Sequence, residues 1–144
     1  MDKSIMEKTN LTGANLTKAN LSGANLSSAS LNKSVLGGVD LRGANLSKAD
    51  LRDANLSEAD LRGANLSKAD LRGANLDKSR LNGANLTGVN LKQTNIEFAN
   101  FSNSILSASN LGGINIKFAN LNGVNLEGAN LEGANLGFAN LRRC

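Results

Sequence analysis

The chain has 144 residues and a formal net charge of +4, from 16 Lys and Arg against 12 Asp and Glu, with no His, Pro, Trp or Tyr and a single Cys. That length fits one domain. Without His the commonest general base and metal ligand is missing, one Cys excludes an internal disulfide or a cysteine zinc site, and no apolar run approaches the ~20 residues of a membrane span.

From Met6 to Leu141, stepping by five reaches 28 positions, and Leu fills all of them except Met6, Ile96, Phe101 and Ile116. Two residues before each sits a small residue, usually Ala (Ala14, Ala19, Ala24, Ala44, Ala49), and Asn or Asp usually lies between. An α-helix would turn successive leucines by ~140° and leave no apolar stripe. A flat strand would send Leu41 and Leu46 to opposite faces. A chain that is extended within each unit and turns once between units points all of them inward, so the period predicts a coil stacked on itself.

The corner falls two residues after each central Leu. Gly13, Gly23, Gly43, Gly63, Gly73, Gly83, Gly123, Gly128 and Gly133 occupy it, as befits a turn that tolerates positive φ. Other units place Lys, Ser, Asp, Glu or Asn there, which predicts a turn type that varies between corners. The absence of Pro keeps every backbone N–H available to a ladder between coils.

In this unbroken A-(N/D)-L-x-x register, residues 4–141 closely resemble the pentapeptide-repeat family. The resemblance implies an all-β fold, a right-handed quadrilateral β-helix with four units per coil. Residues 20 apart then stack in columns, and 28 units make about seven coils. At ~4.8 Å per coil the rod would be roughly 30–35 Å long. The whole chain, 1–144, reads as a single solenoid domain, with 1–10 as an N-terminal cap in which Ile5 and Met6 fold over the first coil, and 142–144 as a tail.

Along the rod, Val39, Val89, Ile114 and Val124 take sites that are usually Ala, and Val35 and Ile105 take sites that are usually Asn. These read as local adjustments. Between 40 and 80, Asp40, Asp50, Asp60 and Asp70 precede central leucines, and Arg42, Arg52, Arg62 and Arg72 follow them. Two apart on an extended segment, they are placed for lateral ion pairs, and Arg80 stands one coil beyond Asp60, within reach of it. Outward Asn columns such as Asn45, Asn65 and Asn85 predict side-chain ladders and Asx turns. Glu127 and Glu132 are single surface charges.

The C-terminal half departs from the pattern in one column. Phe98, Phe118 and Phe138 stand 20 apart at corner positions, where Lys18, Gly38, Glu58 and Lys78 stand earlier. Three such rings either lean over the corner and stack on one another for stability, or make an exposed apolar strip of the kind that often marks contacts. The chain closes on Asn140 to Cys144 with no amphipathic helix. Phe98, Phe118, Phe138 and Cys144 are therefore the candidate interface, and a homodimer through the C-terminal half is the expected assembly.

With no cleft, no P-loop and no dinucleotide fingerprint, the function points to the exterior. No apolar leader segment precedes Glu7, so the chain is expected to be cytoplasmic. The leading expectation is a non-enzymatic scaffold that contacts a protein partner or a second copy of itself, with no cofactor, no metal, no small-molecule substrate and no membrane association. The resemblance also implies an alternative, a DNA mimic that binds DNA gyrase or topoisomerase and confers quinolone resistance. Mimicry needs an acidic surface, and the +4 charge has the wrong sign. Direct nucleic-acid binding is disfavoured because the basic residues alternate with acids and no aromatic platform lies among them.

Overall fold

Each five-residue unit builds one side and one corner of a coil. In the computed structural model, which describes residues 5–143, the corner residue adopts a left-handed φ between +54° and +70° in every unit, whatever its side chain. The N–H after it donates to the central residue's carbonyl, as in Ala44 N to Leu41 O at 3.0 Å. Positive φ at the third turn residue with this hydrogen bond is the signature of a type II turn. The expectation that corners differ in turn type is therefore corrected. Lys48, Asp53, Glu58 and Phe98 take the conformation of Gly43, at the cost that non-glycine residues bear there.

What enforces it is the neighbouring coil. Three backbone N–H groups per unit reach the coil above or below: Leu46 N to Asn65 O at 2.7 Å, Lys48 N to Ser67 O at 2.9 Å and Asn45 N to Ala24 O at 2.9 Å. The residue before each central Leu forms a parallel bridge with the residue 20 later, as in Asn45 with Asn65 and Asp50 with Asp70. Four units thus complete one coil. Wall 1 carries the column Met6, Leu26, Leu46 and so on to Leu126. Wall 2 carries Leu11 to Leu131, wall 3 Leu16 to Leu136, and wall 4 Leu21 to Leu141.

The interior is built as the period predicts. Leu46, Leu51, Leu56 and Leu61 converge with complete burial, and the Ala column beside them is equally closed. Burying each Leu is worth about 1.5–3 kcal/mol. Phe101 fits a Leu site and is fully buried. In the small-residue column, Ser34, Ser79 and Ser109 donate back to the carbonyls of Leu31, Leu76 and Leu106 at 2.5–2.7 Å. Ser104 Oγ is buried without a partner.

At the N-terminal end, residues 5–10 are the first stretch of the coil and not a cover over it. Ile5 bridges Asn25 and is 83% exposed, while Met6 joins the leucine column. Residues 1–4 and Cys144 lie outside the described residues.

One junction departs from the rule along a whole wall; elsewhere among the described residues a single corner rung, Phe118 N to Gly137 O, is absent. Between the coils 84–103 and 104–123, wall 3 lacks the bridge of Asn95 with Asn115, alone among the positions from Ile5 to Asn120. The rungs Gln93 N to Gly112 O, Asn115 N to Thr94 O, Ile96 N to Asn115 O and Phe98 N to Lys117 O are all missing. One coil earlier the equivalent rungs are closed: Gly73 N to Lys92 O, Asn95 N to Ala74 O, Leu76 N to Asn95 O and Lys78 N to Glu97 O, at 2.7–3.1 Å. The small-residue column is also unusual here. Thr94 stands directly over Ile114, two branched side chains where stacked Ala or Ser is usual. Elsewhere Val39 and Val89 meet only Ala or Ser above and below, and the ladder holds, though Asn90 N to Ala69 O stretches to 3.3 Å.

Candidate interaction surface

Backbone register alone sets the aromatic column. Because corners recur at intervals of 20 along a column, Phe98, Phe118 and Phe138 project from successive coils at the corner between walls 3 and 4. Their rings stack with centroids 5.2 and 5.4 Å apart and planes within 5°. They are 54%, 49% and 82% exposed. Since each ring covers its neighbour's face, the strip presents ring edges outward. The rings stack on one another and still leave an apolar strip in water.

The strip is bordered by uncharged amides on wall 4. Asn120 Nδ2 donates to Asn100 Oδ1 at 3.1 Å, and Asn140 Nδ2 to Asn120 Oδ1 at 3.3 Å. On wall 3 the amide ladder runs from Asn55 through Asn75 to Asn95. It stops at the open junction, where Asn115 turns to Glu97 Oε1 at 3.3 Å. Phe98, Phe118 and Phe138 are thus brought together. Cys144, the fourth candidate, lies outside the described residues.

The charged stretch forms two ion-pair faces on non-adjacent walls, Asp40–Arg42 and Asp60–Arg62 on wall 4, Asp50–Arg52 and Asp70–Arg72 on wall 2. Each Asp Oδ1 accepts the Arg backbone N–H, while Nε and Nη2 grip the carboxylate at 2.6–2.9 Å. The guanidinium hydrogen bond is the main reason that all four carboxyls are held below the ordinary Asp value, against a smaller opposing effect of burial. The expected Arg80–Asp60 pair does not form. Arg62, two residues away on the same side, occupies both oxygens of Asp60, and no ion pair to Arg80 is present among the described residues. Outward Asn residues do the same turn chemistry without charge, as in Ser47 N to Asn45 Oδ1 at 3.1 Å.

Sequence reasoning missed the open junction beside the strip. Its signal was present: Thr94 and Ile114 are 20 apart in a column of small residues. Among the described residues no cluster of His, Cys, Asp and Glu is arranged to hold a metal ion, and no helix is long and apolar enough to cross a membrane.

The family model described as pentapeptide repeats matches in eight copies, over residues 2–32, 34–73, 69–107 and 109–144. Among solved structures, the chain is similar to HetL, a pentapeptide repeat protein involved in heterocyst differentiation regulation from the cyanobacterium Nostoc sp. strain PCC 7120. Identity is 30% over 94% of this chain and 76% of that one, with a TM-score of 0.50. It is also similar to the pentapeptide repeat protein Rfr23 from the cyanobacterium Cyanothece 51142, at 30% identity over 88% and 82% of the two chains and a TM-score of 0.56. Trypsin-treated QnrB1, a plasmid-mediated fluoroquinolone resistance protein, superposes with a TM-score of 0.60 over 96% of this chain and 80% of its own, at 22% identity, a likeness of fold alone. No curated protein matches.

Proposed function

The chain belongs to the pentapeptide-repeat family, and from that premise we propose that it is a non-catalytic scaffold that self-associates through its C-terminal half. The rod is taken as a right-handed quadrilateral β-helix of about seven coils, the hand being the one the family resemblance implies. A solid interior leaves only the outside to work with. The single observation that carries the reading is the exposed stack of Phe98, Phe118 and Phe138. A second copy presents the same row of ring edges, and an antiparallel pairing centred on Phe118 sets Phe98 against Phe138 of the other copy. Such apolar strips are costly to leave in water.

The DNA-mimic alternative has less support. The chain is net basic, and the acids between 40 and 70 that lie beside Arg are neutralised by it.

Sedimentation at increasing concentration, with Cys144 kept reduced, tests the proposal. The unaltered chain should pass from monomer to dimer, and Phe118→Ser should stay monomeric. A strictly monomeric profile of the unaltered chain at high concentration would overturn self-association.

A further inference from the structure

We infer that the rod is two bodies joined by a hinge: the coils beyond residue 103 swing away from the rest by opening wall 3, and the Phe98–Phe118 stack is the latch on the opening side. The inference goes beyond the scaffold reading and does not depend on any partner.

Three features meet at this junction. The first is the row of missing rungs at Gln93, Asn115, Ile96 and Phe98. On the far side the same two coils stay sewn together. On wall 1, Leu86 N reaches Ile105 O at 2.7 Å and Ile105 N reaches Ala84 O at 3.0 Å. On wall 4, Phe101 N reaches Asn120 O at 2.8 Å and Asn120 N reaches Ala99 O at 3.0 Å. A junction bonded on one side and unbonded on the other is a hinge by construction.

The second feature is the wedge. Thr94 Oγ1 donates to Leu71 O at 2.7 Å, in the preceding coils. Ser34, Ser79 and Ser109 in this column instead bond their own turn. Thr94 is thus tied to the upper body, and Ile114, 2% exposed, belongs to the lower one. The step of the column from Thr94 to Ile114 is where the bodies part. The wedge does not continue downwards: below Ile114 stands Ala134, Asn135 N reaches Ile114 O at 2.9 Å again and Ile116 N reaches Asn135 O at 2.8 Å, leaving only the corner rung from Phe118 N absent.

The third feature is the latch. Phe98 and Phe118 stack across the gap at 5.2 Å, at the corner where the rung from Phe98 N is missing. Ring stacking there replaces backbone bonding as the tie between the bodies. If the strip is also a contact site, as proposed above, an occupant gripping Phe98 and Phe118 together would hold the hinge shut.

Amide hydrogen exchange on the full chain, followed by NMR and corrected for intrinsic rates, tests the hinge. Local openings expose amides well before global unfolding does. Exchange at Gln93, Ile96, Phe98 and Asn115 should be at least about tenfold faster than at Gly73, Leu76, Lys78 and Asn95, their equivalents one coil earlier. The double variant Thr94→Ala with Ile114→Ala restores the residue type of the column and should bring the two sets together. Phe118→Ser should speed exchange of junction amides such as Ile96 and Asn115 further while leaving Leu46 to Leu66 unchanged. Equal protection of the two sets in the unaltered chain would overturn the hinge. Rapid exchange that survives the double variant would overturn the wedge as its cause. Acceleration spread evenly along the rod by Phe118→Ser would overturn the latch.

Discussion

Residues 44–83 and 84–123 follow the same backbone path and differ in what the column of small residues holds. In the first stretch that column is Ala throughout except Ser79, and its bridges to the following coil are complete. In the second it holds Val89, Thr94, Ser104, Ser109 and Ile114. Corners are indifferent to this change: Lys68, Gly73, Gln93 and Phe98 all adopt positive φ. The fold thus accepts almost any side chain where the chain bends, because the side chain points into water. It is exacting one position later, where a side chain must fit between two coils. One extra branch accompanies a lengthened rung at Val89 and none at Val39, and where two branches stack several rungs are missing.

The largest expected effect sharpens this contrast in the core. Leu66 is fully buried in the tight stretch, and Leu66→Ala should cost about 2–5 kcal/mol, read as a lowered unfolding midpoint in denaturant. Ile96 is just as buried but borders the missing rungs. The cost of a cavity falls where the surroundings can collapse, so Ile96→Ala should sit at the low end of that range. Equal costs would mean that the two stretches are equally rigid, and the comparison would fail.

Much of this architecture was legible beforehand because the period is a single geometric constraint applied 28 times. Inward leucines, stacking at intervals of 20 and the shared corner of Phe98, Phe118 and Phe138 all follow from it. The rest depended on pairs. Corner composition suggested mixed turns, whereas the ladder above and below each corner imposes one turn on Gly43 and Lys48 alike. Arg80 stands one coil from Asp60, yet Arg62 is nearer along its own unit and takes both oxygens. Ile114 drew notice as a single substitution, but its effect comes from Thr94 above it. Val89 breaks the same local rule without opening the wall.

A smaller effect isolates polarity from volume in the same column. Ser104 Oγ is buried with no hydrogen-bond partner, while Ser79 Oγ donates to Leu76 O at 2.7 Å. A buried unsatisfied hydroxyl costs about 1–3 kcal/mol. Ser104→Ala should therefore stabilise the chain by about 1 kcal/mol, seen as a raised melting temperature. Ser79→Ala removes a satisfied group and should bring no such gain. If both variants shift the melt alike, the irregular stretch carries no polar penalty of its own, and Thr94 over Ile114 is left as its sole weakness.

The smallest effect lies on the surface and runs the other way, weakening the regular stretch. Asp50, Asp60 and Asp70 each accept an Arg guanidinium there, and Asp40 does so one coil earlier, which holds their carboxyls below the ordinary value near 3.8. A carboxyl whose pKa is depressed on folding adds stability that is complete above its unfolded pKa and is lost as pH falls through the folded one. Lowering pH below about 4 should thus erode the stretch 44–83 faster than 84–123, where no Asp–Arg pair of this kind occurs among the described residues. Replacing Asp40, Asp50, Asp60 and Asp70 by Asn should remove that acid dependence. Asn45 shows that an amide still accepts the turn N–H, so the backbone need not change. Solvent competes for every one of these pairs, and the shift should be smaller than that of Ser104→Ala. Were the Asn variant to lose stability in acid as steeply as the unaltered chain, the ion pairs would be decoration on a ladder that holds without them.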